Sequence, residues 1–255
     1  MTLTRIVAAE TLDSLAENDP HAICSRRDLR RVHLVMGTQK IILRGLHRLI
    51  ASRTKIAPLR ILELGAGDGS LMLGVAKEFA PDWPNVELIL LDRQAVVDTD
   101  TIASYNNLGW IVKVQTIDVL DWADIAIDPN YKNKEGKYYD IIVANLFLHH
   151  FEGAQLSIII KAIAAKTDRF FACEPRRSLF ALAASHLIGL IGANKVTRND
   201  AVLSVHAGFC ADELSLLWPK FESVTQQSTV STWKKLEYSA GLFSHCFYSE
   251  KLELE

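Results

Sequence analysis

The chain has 255 residues, with 28 Lys+Arg against 30 Asp+Glu, a formal net charge of −2, and 49% hydrophobic residues. That apolar content excludes an intrinsically disordered chain, and the charge balance lacks the basic excess that drives nucleic-acid binding. The length suits one large α/β domain with an N-terminal helical extension.

The N-terminal segment MTLTRIVAAETLDSLAEND meets Asp and Glu too soon for a signal peptide. Residues 1–57 read as a polar helical extension or cap, with an apolar stripe of Ile41, Ile42, Leu46, Leu49 and Ile50 at helical spacing. The basic cluster Arg26, Arg27, Arg30 and Arg31 reads as a solvated helix face. Residues 58–255 form the main domain, opening with LRILEL (59–64) as a strand and Gly69 to Ala80 as a helix stopped by Pro81. VELILLD (86–92), WIVKVQTID (110–118), YYDIIVANLF (138–147) and RFFACEP (169–175) are four further strands. Such continuous apolar strands, alternating with helices, specify a parallel sheet covered on both faces. Asp121 to Lys137 reads as a surface loop, from its Pro, Asn, Gly and charges.

An apolar helical insertion follows near 177–193, with Leu179, Leu182, Ala183, His186, Leu187 and Leu190 on one face. Its apolar stretch is shorter than the roughly 20 residues of a membrane span. Ala211 to Trp218 reads as a short helix. FESVTQQS (221–228) and GLFSHCFYSEKL (241–252) read as an antiparallel strand pair at one end of the sheet, with WKKLEY between them. Cys24, Cys173, Cys210 and Cys246 have neither C-x-x-C nor zinc-finger spacing, so they read as reduced, packed thiols of a cytoplasmic protein, with no metal site expected.

ILELGAGDGSL (61–71) is the strongest local signal: a strand ends at Leu64, and Gly65, Gly67 and Gly69 turn the chain into a helix. Glycines permit positive φ and a close ligand approach, and the helix N-terminus offers free N–H groups. A dinucleotide loop wants G-x-G-x-x-G. Here the spacing is G-x-G-x-G, with Glu63 two residues before the first glycine. A carboxylate there would repel a pyrophosphate and attract the ammonium of a methionine moiety. The second strand ends in Asp92, suited to ribose hydroxyls, and the third in Asp118 before Val119, suited to an adenine amino group and ring. All three acids stand at successive strand ends, where open α/β sheets bind ligands.

ELGAGDG, LLDRQ, TIDVLDW and DIIVANLFLHHF together resemble the successive motifs of class I S-adenosylmethionine-dependent methyltransferases over about residues 58–175. The resemblance implies a Rossmann-like, mostly parallel seven-stranded sheet with an antiparallel C-terminal hairpin and helices on both faces. It implies S-adenosylmethionine as cofactor, with Glu63, Gly65 and Gly67 on the methionine side, Asp92 on the ribose, Asp118 and Val119 on the adenine, and Asn145 and Leu146 near the sulfonium. SRRDLRRVHLVMG (25–37), EPRRSLFALAASHLIGL and NKVTRNDAVLSVHAGF are further similar to a bacterial subgroup of methyltransferases, some tied to polyketide-type pathways.

NLFLHHF (145–151) follows the fourth strand, so His149, then His150, are candidate general bases, with His206 and Asp200 weaker candidates. Each His could instead bond the backbone and cap the next helix. Arg177 has two readings, a salt bridge to Glu174 or a substrate carboxylate. The insertion at 179–190 either packs on the sheet or N-terminal helices or forms a lid over an apolar substrate. The expected activity is O-methylation of a small hydrophobic metabolite, with no nucleic-acid partner, no membrane span and an open oligomeric state. The alternatives are methylation of protein or RNA, against which ANLF replaces the DPPY- or NPPY-type motif of base-amine methyltransferases, and a non-catalytic cofactor-binding partner subunit. An NAD-dependent oxidoreductase is opposed by the glycine spacing and the antiparallel tail.

Overall fold

The computed structural model describes residues 3–51, 58–127, 139–219 and 232–252. Parallel strands β1 (Leu59–Leu64), β2 (Val86–Asp92), β3 (Ile111–Thr116), β4 (Ile141–Asn145) and β5 (Arg169–Pro175) are joined by antiparallel β6 (Thr232–Ala240) and β7 (Ser244–Leu252). The seven strands run in the order β3-β2-β1-β4-β5-β7-β6. The order reverses beside β1, which pairs with β2 (Leu59 opposite Val86) and with β4 (Ile61 opposite Ile141). This topological switch opens a crevice at the carboxyl ends of those strands, where ligands bind in open α/β sheets.

Alternate residues of β1 feed two cores. Leu59 and Ile61 pack with α3 (Thr38–Ile50) and α4 (Ser70–Phe79) through Ile42, Leu46, Met72, Val75 and Phe79. Leu62 and Leu64 pack with α6 (Val119–Ile127) and α7 (Gly153–Lys166) through Trp122, Ile159, Ile160 and Ile163. The apolar stripe at 41–50 therefore belongs to the main core. Gly45 of α3 lies so close to β5 that a Cβ there would stand 2.7 Å from the Phe171 ring.

Ahead of α3, α1 (Thr11–Ser14) and α2 (Pro20–Met36) cross the ligand edge of the sheet. Asp19 caps α2 by accepting from His21 N at 2.7 Å, Pro20 occupies its first turn, and Gly37 ends it at φ 67°. Between β5 and the hairpin come α8 (Leu179–Ser185), a 3₁₀ turn at Ile188–Ile191, α9 (Lys195–Ala207) and α10 (Glu213–Leu217).

Three expectations need correction. Residues 121–127 are helical, not loop: Asp118 accepts from Leu120 N at 2.8 Å, and Val119, Trp122, Ala123 and Ala126 bury one helical face; residues 128–137 of that expected loop lie outside the described residues. WKKLEY belongs to β6 itself, with Leu236 opposite Tyr248, whereas the strand expected at 221–228 lies outside the described residues. In α8 the buried face is Ala181 and Ser185, while Leu179, Leu187 and Leu190 are exposed. The helix stops at Ser185, so a helical phase carried through to Leu190 does not apply.

Cys173 and Cys246 are buried cross-strand neighbours in β5 and β7, and all four cysteines are free thiols. Among the described residues, no helix is long and apolar enough to cross a membrane.

Candidate active site

A cavity of about 570 Å³ lies over the carboxyl edge of the sheet. Glu63, Gly65 and Gly67 line it from the β1 loop, Asp92 from the end of β2, Asp118 and Val119 from after β3, and Asn145 and Leu146 from after β4. The glycine loop is shaped for close approach. Gly65 has φ 67°, and a Cβ on it would meet the Phe147 ring at 2.2 Å; Gly67 has φ 54°. Asp92 holds the loop, its Oδ2 accepting from Gly67 N at 2.8 Å and its Oδ1 from Gln94 N at 2.9 Å.

Glu63 is buried, and its Oε2 has no hydrogen-bond partner among the described residues. Burial, with Asp92 and Asp68 nearby, pushes its pKa up to about 8. An orphaned buried carboxylate oxygen beside further acids calls for a cation. Asn145 Oδ1 is likewise buried and unpartnered among the described residues. Leu146, at φ 46°, turns the chain out of β4.

The N-terminal segment and α2 close the cavity from above. Arg30 of α2 reaches Asp68 of the glycine loop at 2.8 Å, so the basic cluster is not wholly a solvated face. Burial disfavours the charge of Asp68, but hydrogen bonds from Ser70 and Arg30 hold its pKa below the usual value. His33 also lines the cavity, and burial lowers its pKa to about 4.

At the far end, β4 leads into a 3₁₀ turn, Leu148–His150. The buried Glu174 carboxylate at the end of β5 accepts from Phe147 N at 3.1 Å and Leu148 N at 2.9 Å, and its Oε2 lies 2.9 Å from His149 Nδ1. The other ring nitrogen, Nε2, faces Glu10 Oε1 at 3.3 Å. Burial works against a charged His149, but hydrogen bonds to Glu10 and Glu174 and their negative charges prevail and raise its pKa to about 9. The same pairing holds Glu10 below its ordinary value, against its own burial. His150 is lowered, by burial and then by the charge of His149, and its Nδ1 stands 3.3 Å from Asp13 Oδ2. Ligand atoms of Glu10, His149 and His150 lie within 4.8 Å of one another, a spacing that would let them share a metal ion; no cysteine or histidine spacing along the chain signals that grouping.

Other candidates are placed elsewhere. His206, near the end of α9, lines neither this cavity nor the one beside it, and its carbonyl accepts from Ile6 N at 3.1 Å. Asp200 accepts from Thr11 N and Leu12 N, each at 2.9 Å, and so tethers the N-terminal segment. Arg177 pairs with Glu213 rather than Glu174, its Nη1 at 3.1 Å from Oε2, because Glu174 is turned into the 3₁₀ turn. Glu10 had no local signal in a polar segment that read as helical. Glu174, by contrast, stands at a strand end like the cofactor acids and was readable as such.

A second cavity of about 260 Å³ adjoins the first, bounded by α2, α8 and α9, and shares Glu10, Leu12, Leu29, Leu146 and Ser204 with it. Of the six apolar-face residues expected in the insertion, Leu187 alone lines it; Ala181, Ala184, Ser185, Ile188 and Ile191 supply the rest of that wall.

No family model and no curated protein matches the chain. Solved structures do. The plantazolicin methyltransferase BpumL in complex with S-adenosylhomocysteine (SAH) superposes with a TM-score of 0.59 at 14% identity, over 91% of each chain. The same enzyme with a monoazolic desmethylPZN analog and SAH gives 0.58. An O-methyltransferase family protein from Burkholderia thailandensis gives 0.56 at 13% identity, over 96% of this chain and 64% of that one. The chain has the class I methyltransferase fold, with the seven-stranded sheet and antiparallel hairpin that define it.

Proposed function

We propose that the protein is an S-adenosylmethionine-dependent methyltransferase acting on an oxygen of a small hydrophobic acceptor. The observation that carries this reading is Glu63, which lines the cavity beside the glycine loop and has a buried carboxylate oxygen with no partner among the described residues. A cationic ammonium satisfies it; a pyrophosphate does not. Arg26 and Arg30 of α2 also line this cavity, Arg30 beside the glycine loop through Asp68, and suit the carboxylate of the methionine moiety. Asp92 takes the ribose hydroxyls with the lone pairs its backbone bonds leave free, Asp118 and Val119 border the adenine, and Asn145 and Leu146 the sulfonium.

The cofactor supplies an electrophilic methyl group on a positively charged sulfur. The chain must align the acceptor oxygen in line with it, exclude water and take up the acceptor's proton. His149 lines the first cavity beside Glu10, which both cavities share, and its Nδ1 is fixed by Glu174. In the closed arrangement it is protonated, because both carboxylates favour its charge. An acceptor that displaces Glu10 removes one of them, and a sulfonium bound nearby would disfavour the remaining positive charge, so the Nε2 proton leaves with the displaced Glu10 carboxylate and the neutral Nε2 can then accept the acceptor's proton. His150, whose pKa is lowered, is the second candidate.

Calorimetry with S-adenosylmethionine against NAD tests the cofactor. Transfer of labelled methyl to a metabolite extract tests the activity and separates an enzyme from a non-catalytic partner subunit. Label in protein or RNA rather than in small molecules would overturn the acceptor class.

A further inference from the structure

We propose that the acceptor is an amphiphile whose hydrocarbon chain lies in the second cavity, with the chain's end emerging at the protein surface between α2 and the 3₁₀ turn at Ile188–Ile191. The inference rests on the proposed function, because it takes the inner end of that cavity as the reacting end.

The cavity wall determines the chemistry of the occupant. Its polar side chains are already committed within the protein. Ser25 Oγ accepts from Asn194 Nδ2 at 3.0 Å, and Ser185 Oγ donates to Leu182 O at 2.7 Å. Thr197 Oγ1 donates to Asp28 Oδ2 at 3.4 Å, and Asp200 accepts two backbone N–H groups of the N-terminal segment. Ser204 Oγ has Asp200 O and Glu10 Oε1 both within reach of its one O–H. The remaining wall is apolar and includes Leu29, Val32, Met36, Ala181, Ala184 and Ile188. A polar tail entering this space would lose its water and find no partner, whereas methylenes lose nothing.

The cavity has two distinct ends. The inner end shares Glu10, Leu146 and Ser204 with the cofactor cavity, so a hydroxyl placed there meets Glu10 and His149. The outer end is lined by Val35, Leu187 and Ile191, which are 59%, 59% and 37% exposed. Leu34 and Leu190, beside them in sequence, are exposed at 82% and 85%. One reactive polar end, an apolar bore and an apolar exit match a head group carrying a hydroxyl and an alkyl chain long enough to reach the surface.

The test uses 4-n-alkylphenols from methyl to octyl. Their Kd for the full chain is measured by calorimetry, with and without SAH, and their methylation is followed separately. Each methylene should tighten Kd about four-fold until the chain passes Leu187 and Ile191, after which Kd levels off. Ala184→Phe narrows the bore and should move the break to a shorter chain, with SAH affinity retained as the sign of a folded protein; Ala181→Leu is the milder second variant. A Kd independent of chain length, or a break unmoved in both variants, overturns the proposal. A chain-length gradient without methyl transfer would instead sink the proposed activity and leave the chain site standing.

Discussion

Glu10 and His149 are 139 residues apart in the chain, yet Oε1 of one lies 3.3 Å from Nε2 of the other inside the cavity. With Glu174 on the opposite nitrogen at 2.9 Å, the imidazole is clamped between two carboxylates. The N-terminal segment that carries Glu10 is tied across the ligand edge by Asp200, by Arg5 bonded to Ala207 O and Phe151 O, and by Glu17 accepting from Ala95 N. A strap anchored at these points places a side chain where, on the proposed function, the acceptor hydroxyl would come.

Glu10→Gln should therefore free the base. Losing that carboxylate removes one of the two groups that raise His149, so its pKa falls from about 9. The ascending limb of kcat/KM against pH should shift to lower pH, and an NMR titration of the His149 ring should show the same displacement. A limb that stays in place would mean that Glu10 does not control the proton on His149.

Glu63 predicts proton release on cofactor binding. Its pKa of about 8 in the free protein leaves it mostly protonated at pH 7. An ammonium beside it favours the carboxylate, so SAH binding at pH 7 should expel close to one proton, read from calorimetry in buffers of different ionisation enthalpy. Glu63→Gln should abolish the release and weaken binding by about 1.5–3 kcal/mol. The same shift acts on the free protein's stability: a raised carboxyl pKa stabilises at pH values below the unfolded value, and that contribution is lost as pH rises through about 8. Tm of the free wild-type protein should fall over that window more than that of Glu63→Gln.

The grouping of the residues proposed for the cofactor was legible because its signals are local. Glu63, the glycines and Asp92 sit on strand ends whose apolar runs announce the strands, and the sheet itself brings those ends together. The side proposed to handle the proton was not, because it joins segments with no mutual sequence signal. Glu10 comes from the N-terminal strap, and elsewhere Arg177 likewise finds Glu213 through the fold rather than its near neighbour Glu174. Helix α6 was masked by the charges and turn residues that follow it, although Val119, Trp122, Ala123 and Ala126 carry a helical period.

Asp92→Ala should weaken S-adenosylmethionine binding by about 1.5–3 kcal/mol, the usual cost of hydrogen bonds to a charged group. Here the carboxylate has two tasks, since it also accepts from Gly67 N and Gln94 N. Asp92→Asn retains one acceptor oxygen and should lose less than Asp92→Ala. Equal dissociation constants for wild type and Asp92→Ala in a folded protein would remove Asp92 from the ribose site.

His149 itself is the sharpest test of the chemistry. If it takes the acceptor proton, His149→Ala should lower kcat by about 10²–10⁴ while cofactor affinity stays nearly intact, because the bonds that shape the glycine loop come from Asp92. His149→Gln should lose a similar factor, since it keeps a polar side chain but cannot accept the proton. Glu174→Gln separates taking the proton from positioning the ring. It leaves an acceptor for the backbone N–H groups of Phe147 and Leu148, but removes the charge that holds His149 Nδ1. Its loss should be smaller than that of His149→Ala, and its pH profile should shift downward because one group raising His149 has gone. If rates in all three variants stay within a few-fold of wild type, the chain contributes alignment and exclusion of water alone, and the same substitutions at His150 would show whether the second histidine takes over. A parallel fall in cofactor affinity would instead make His149 a residue that shapes the pocket.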